Sequence, residues 1–193
     1  MTAYTIALFL HILGAMGIFT VVGFAYISLI SMRRAQSAQV TRLWAQTAAR
    51  VTQFVLPISG LLVLLAGFTM LAVSYKSTPG WTIMGFIGLV LIGAITPQVT
   101  ARRFSGIAQS LRGLPGDATV PAETAAQVRA PAMWLTLNAV AGLLVGVVFL
   151  MTSKPDLLGS LITLLIATVL GLALGQLTAG RRTQARAQVA RQS

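Results

Sequence analysis

The chain has 193 residues, 56% of them hydrophobic and 9% charged, with a mean hydropathy of +0.84; a soluble domain carries about 25% charged residues, so this is the composition of a membrane protein. Cysteine is absent, which excludes disulfides, zinc–thiolate sites, iron–sulfur clusters and cysteine nucleophiles. The formal net charge of +11 does not indicate nucleic acid, because the arginines lie in short tracts beside apolar spans and form no face of a folded domain.

The first segment, Tyr4 to Ile30, runs 27 residues without a charge before Ser31-Met32-Arg33-Arg34. At a rise of about 1.5 Å per residue it makes a helix of roughly 40 Å, more than the ~30 Å hydrocarbon core requires. Met1-Thr2-Ala3 carries no basic side chain and the run is too long for a signal core, so it reads as a retained first helix. Four further apolar segments of spanning length follow. The expected architecture is all-α: a polytopic bundle over residues 1–182, with spans at about 4–31, 51–73, 81–99, 132–152 and 157–179. A loop at 100–131 and a basic tail at 183–193, expected to be disordered, complete it.

Charge sets the expected orientation. All twelve arginines fall in three groups: Arg33, Arg34, Arg42 and Arg50; Arg102, Arg103, Arg112 and Arg129; Arg181, Arg182, Arg186 and Arg191. Both lysines, Lys76 and Lys154, lie in the two short turns. Five spans put every arginine on one side and both lysines on the other. The positive-inside rule then places the N-terminus outside and the C-terminus and loop 100–131 in the cytoplasm of a bacterial plasma membrane. Tyr4, Tyr75 and Trp81 would mark the outer interface, and Trp44 and Trp134 the inner one. The apolar positions Val40, Leu43, Trp44 and Ala48 predict a helical extension of span two or a surface helix, and Phe104–Arg112 a continuation of span three. Gly113–Val120 reads as loop. Pro57 and Pro97 should kink spans two and three, and Pro131 suits the first turn of span four. Gly60-Leu61-Leu62-Val63 recurs as Gly142-Leu143-Leu144-Val145, a pattern that a duplication of parallel hairpins would leave.

His11 is the only histidine and the one side chain inside a span that readily titrates near neutral pH. Its helical face also carries Tyr4, Ala7, Leu8, Gly14, Ala15 and Ile18, so it should point into the bundle. Such a residue marks a functional-site hypothesis. The alternatives are a neutral imidazole bonded to another helix, a cofactor or metal ligand, and a proton carrier. Met70, Met84 and Met151 would lie at similar depth on three helices. Thioethers with imidazole suit Cu(I), and histidine with methionine can hold haem, although methionine also fills apolar gaps. Gly14 and the pairs Gly142/Gly146 and Gly171/Gly175 read as helix-packing positions, the pairs bringing span four onto span five or onto another copy. Asn138, Gln53, Gln98 and Gln176 are expected to bond between helices or to be solvated. No catalytic residue is assigned: Asp117, Glu123 and Asp156 are the only carboxylates, and none lies well inside a span.

The Leu10, His11, Gly14, Ala15 pattern of the first span resembles one found in small bacterial integral membrane proteins. So do Pro57, Gly60, Leu61, Leu62, Leu64 and Gly67 of the second span and the Gly80-Trp81 opening of the third. Over residues 4–103 the chain is similar to a predicted integral membrane family of unknown function, itself distantly similar to copper-resistance-D-like proteins. That resemblance implies a bundle whose first-helix histidine handles copper or haem b, although one histidine cannot supply bis-histidine ligation. The sequence requires neither cofactor. The reading it favours is a non-enzymatic bundle that contacts lipid, with anionic lipids at its arginine-rich face. It would pack as a homo-oligomer or with other membrane subunits.

Overall fold

The computed structural model describes residues 2–75 and 78–190, with side chains up to Leu177. Among the described residues seven α-helices follow one another: α1 (Ala3–Arg34), α2 (Ala38–Ser74), α3 (Gly80–Ile95), α4 (Arg102–Ser110), α5 (Ala122–Arg129), α6 (Pro131–Ser153) and α7 (Leu157–Ala190). A π-helical turn, Thr96–Ala101, joins α3 to α4 without a break. Five helical stretches among the described residues are long and apolar enough to cross a membrane: Ala3–Arg34, Ala38–Ser74, Gly80–Ser110, Ala122–Ser153 and Leu157–Leu177. The all-helical, five-span architecture read from the sequence is therefore the one observed. Lys76, Ser77 and 191–193 lie outside the described residues, and the side chains of Arg181, Arg182 and Arg186 outside the described side chains. Of the tail 183–193, expected to be disordered, residues 183–190 continue α7 and 191–193 lie outside the described residues.

Helix α1 packs on α2 along most of its length. Ala7, Gly14, Ile18, Val21, Ala25, Ser28 and Met32 are buried. With His11 they follow alternating three- and four-residue steps, the ~3.5-residue period of a left-handed helix pair. On α2 the buried steps run Ala38, Thr41, Ala45, Ala48, Thr52 and then lengthen, through Leu56, to Ser59. The extra residue enters in the turn before Pro57, whose missing N–H frees the carbonyl of Gln53. Helix α2 is continuous through that proline.

The second close pair is α6 and α7, with α3 between the two pairs. A side chain at Gly142 would meet the Ala167 carbonyl oxygen and, at 3.1 Å, the Cα of Gly171. One at Gly171 would meet the Asn138 carbonyl oxygen. Gly146 abuts Ala167 Cβ and Gly175 abuts Asn138 Cβ, at 2.9 and 3.1 Å from the position a β-carbon would take. Gly60, the counterpart of Gly142 in the repeated tetrad, instead has nothing within 4 Å. The two tetrads occupy unlike environments.

The helix ends are tied by side chains of the expected kinds. Thr2 and Ser37 cap α1 and α2, and the Asp156 carboxylate accepts from the Gly159 N–H at 2.8 Å at the start of α7. Pro131 opens α6. At the lysine end Tyr75 and Trp81 meet edge to face at 6.0 Å, and the Lys154 ammonium lies 3.5 Å from the Tyr75 hydroxyl and 5.7 Å from the Trp81 ring. These contacts draw together the ends of α2, α3 and α6.

The arginine end is more elaborate than a loop. Helix α2 extends by about three turns beyond Val51, as its amphipathic pattern predicts, and α4 continues the third span. Within the stretch expected as connection, α5 forms as well, after Pro121, with Glu123 in its first turn and Arg129 in its last. The segment before α5 folds back on the start of α2. There Ala38 N–H donates to Ala118 O at 2.8 Å and Gln39 N–H to Gly116 O at 3.2 Å, giving partners to two donors at a helix N-terminus. A core of Leu29, Ala45, Phe104, Ile107, Leu111 and Met133 fills the space beneath.

Candidate functional site

His11 projects from α1 onto α2. Its Nδ1 lies 3.0 Å from the Val63 carbonyl oxygen, and the ring is half-buried. Gly67 on α2 makes room: a β-carbon there would stand 3.4 Å from both Cε1 and Nδ1 of the ring. One turn along, a β-carbon on Gly14 would come within 2.8 Å of the Ser59 carbonyl and of Val63 Cγ2. Small residues on both helices thus let the backbones approach, and the imidazole uses the second lone pair of a helical carbonyl. A carbonyl can only accept, so Nδ1 carries the proton and, in the neutral ring, Nε2 keeps its lone pair.

The three methionines lie on three different helices, α2, α3 and α6. Met84 packs against the core of Ile18, Val21, Leu56, Ile92 and Val140. The Met151 methyl group occupies the space beside Gly85, on the seam between α6 and α3. Met70 is half-buried on α2. The contacts of His11 lie on the α1–α2 seam and those of Met151 on the α3–α6 seam, so no donor set is assembled by these contacts. Among the described residues no three of histidine, cysteine, aspartate and glutamate converge.

Three polar features lay beyond the sequence reading. Arg33 reaches across the arginine end, its Nε donating to the Val128 carbonyl at 3.2 Å and its guanidinium lying 5.1 Å from the Trp134 ring, which itself meets Tyr26 edge to face at 5.5 Å. One arginine of the topological signal therefore also ties α1 to α5 and α6. Next, the hydroxyls of Ser28, Thr96 and Thr100 are buried with no hydrogen-bond partner among the described residues. Thr20, Thr47, Thr69, Thr136 and Thr168 each donate to the carbonyl four residues back. Thr96 and Thr100 stand in the π turn, where the widened winding disturbs that register. Ser28 has no such account. Finally, an open groove of about 550 Å³ runs between α2 and the π turn with α4. It brings Gln53 and Gln98 together with Arg102, Ser105 and Gln109. Asn138, expected to bond between helices or to be solvated, donates to Trp134 O of its own helix at 2.8 Å, and its side chain packs on Gly175 of α7.

No significant match is found among curated proteins or among solved structures. A family model described as "Predicted integral membrane protein (DUF2269)" matches residues 5–155, from the start of α1 to the end of α6. That region holds the His11 contact, both glycine partners of α6 and the whole arginine-end cap, and the chain belongs to this family of integral membrane proteins.

Proposed function

We propose that this protein is a non-catalytic membrane bundle that packs with itself or with other membrane subunits, N-terminus outside, in a bacterial plasma membrane. The observation that carries the reading is the His11–Val63 contact. In it the one side chain within a span suited to proton or ligand chemistry near neutral pH meets a carbonyl of the neighbouring helix, as a helix-packing group would. Helix α7 supports the packing half of the proposal. It packs closely on α6 and more sparingly on α3, leaving Leu158, Leu165, Val169 and Leu174 exposed to lipid or to another membrane helix. Crosslinking of the protein in native membranes, followed by mass spectrometry, tests it: specific crosslinks from α7 to a second copy or another membrane protein are expected, and a strictly monomeric protein would overturn it.

The orientation is tested on the naturally cysteine-free chain. Thr78→Cys should react with an impermeant maleimide in intact cells, and Asp117→Cys only after lysis. The reverse pattern would invert the topology.

A second reading has its own support. Nδ1–H donation to a backbone carbonyl fixes the ring and leaves Nε2 available, the arrangement by which proteins orient a histidine that binds copper or haem. The copper-resistance-D-like resemblance points the same way. The two readings diverge at His11. If it packs helices, His11→Gln should lower stability by about 1 kcal/mol, and His11→Leu should also fold, as judged by unfolding midpoints in detergent. If it is a ligand, wild-type protein should carry stoichiometric copper or a Soret band that both variants lose.

A further inference from the structure

We propose that the groove between α2 and the π turn with α4 is a binding site for the phosphate of an anionic phospholipid. The site goes beyond the packing role and stands without it. One wall is Gln53 of α2; the other carries Gln98, Arg102, Ser105 and Gln109, at successive steps of four, three and four residues, so they line one stripe of the continuous helix. The opposite face of α4 holds Phe104, Ile107 and Ala108 in the core, which fixes the polar stripe outward.

The chemistry of the stripe suits a phosphodiester. Arg102 is exposed, its guanidinium has no hydrogen-bond or ion-pair partner among the described residues, and no carboxylate lines the groove. Gln53, Gln98 and Gln109 add carboxamides that both donate and accept, and Ser105 adds a hydroxyl, so ester oxygens and headgroup hydroxyls would both find partners. Gly106 lines the groove and has nothing within 4 Å where a β-carbon would stand, which keeps it open.

Depth decides between a lipid and a soluble anion. Gln53 lies two residues inside the apolar run that begins at Val51, and Pro97 and Gln98 end the third apolar run. The groove therefore starts at the edge of the hydrocarbon and rises through the headgroup layer. Toward the bilayer centre α2 and α3 touch only sparingly, and Gly60 and Gly93 on these helices each have open space beside them. Acyl chains have an apolar surface to follow there. Basic pockets between spans at this level are known sites for anionic headgroups.

The test is lipid retention by native mass spectrometry of the full-length protein. It is purified in mild detergent and titrated with phosphatidylglycerol, phosphatidylcholine or inorganic phosphate. One phosphatidylglycerol should bind tightly and phosphatidylcholine weakly. Arg102→Gln should weaken the first about fivefold, while Arg103→Gln, which removes the same charge outside the groove, should leave it within twofold. Gly106→Leu, filling the groove from an exposed position, should weaken binding without touching charge. Equal retention by wild type, Arg102→Gln and Gly106→Leu would overturn the site. Equal binding of phosphatidylcholine would overturn its anion selectivity. Inorganic phosphate displacing the lipid at comparable concentration would overturn the assignment to a lipid in favour of a soluble anion.

Discussion

Gly142→Leu should detach α7 from α6 and abolish the folded five-helix bundle, and Gly142→Ala alone should destabilise it by about 3 kcal/mol. Even a β-carbon there would run into the Ala167 carbonyl oxygen, and the Gly171 Cα lies 3.1 Å away, so no side-chain rotation relieves the contact. Two backbones must move apart, which removes close packing along the whole seam. In lipid nothing replaces that packing, because the hydrocarbon is as apolar as the side chains, and helix association rests on close van der Waals contact. Overpacking a soluble core by one methylene costs about 1–3 kcal/mol, and a backbone-to-backbone clash belongs at the top of that range. Gly23→Ala is the control: nothing lies within 4 Å of that position, so its unfolding midpoint in an SDS titration should stay near wild type, within about 0.5 kcal/mol. Equal midpoints for Gly142→Ala and Gly23→Ala would show that the seam does not hold α7.

The spans were legible because the bilayer imposes one strong rule: every backbone polar group inside it must be satisfied within its own helix, so a spanning segment shows itself as a long uncharged run. Tyr4 to Ile30 needs no context to be read that way. The inward face of α1 was legible for a related reason. Small residues beside His11 pick out the side a neighbouring helix can approach, and His11 meets Val63 and Gly67 there. Which neighbour it meets was not legible, since the same face would have suited several helices.

The arginine end was harder to read, because outside the hydrocarbon that rule lapses. Helix α5 left only short local signals, Pro121 before it and Glu123 and Arg129 at its two ends, in a stretch dominated by its charges. The π turn follows from Pro97 but cannot be told from an ordinary proline kink by sequence, and with it went the unpaired hydroxyls of Thr96 and Thr100. Gln53 and Gln98 looked like isolated polar residues at the ends of two spans. Only the turn and its run into α4 place them on one groove with Arg102. The repeated Gly-Leu-Leu-Val tetrad shows the limit of motif reading. At Gly142 the missing side chain admits a helix, whereas at Gly60 it faces open space.

Phe104→Ala should loosen the arginine-end cap while leaving the spans inserted. Phe104 is fully buried among Leu29, Ala45, Ile107, Leu111 and Met133. Arg42, Arg50, Arg102 and Arg112 flank this core in sequence, and all four are at least partly exposed, so water reaches its surroundings. The hydrophobic effect, which contributes little between helices in lipid, operates here at full strength. Truncating a buried phenylalanine typically costs about 3–5 kcal/mol. That loss falls on the packing of α4 against α2 and on the chain between α4 and α5, whose polar anchors include the Ala38 and Gln39 hydrogen bonds, the Ser110–Thr124 hydroxyl pair and the Arg33–Val128 contact. Limited trypsin digestion of the purified protein reads the opening directly, since Arg112 and Arg129 flank the loop and α5. If cleavage follows the population of the open cap, a loss of about 3 kcal/mol raises the rate at these two sites by about a hundredfold. Phe54→Ala removes an equal side chain from a position 65% exposed on the lipid side of α2, and should leave the rate unchanged. Similar cleavage rates in the two variants would show that the cap is held by its polar ties and not by the core that Phe104 fills.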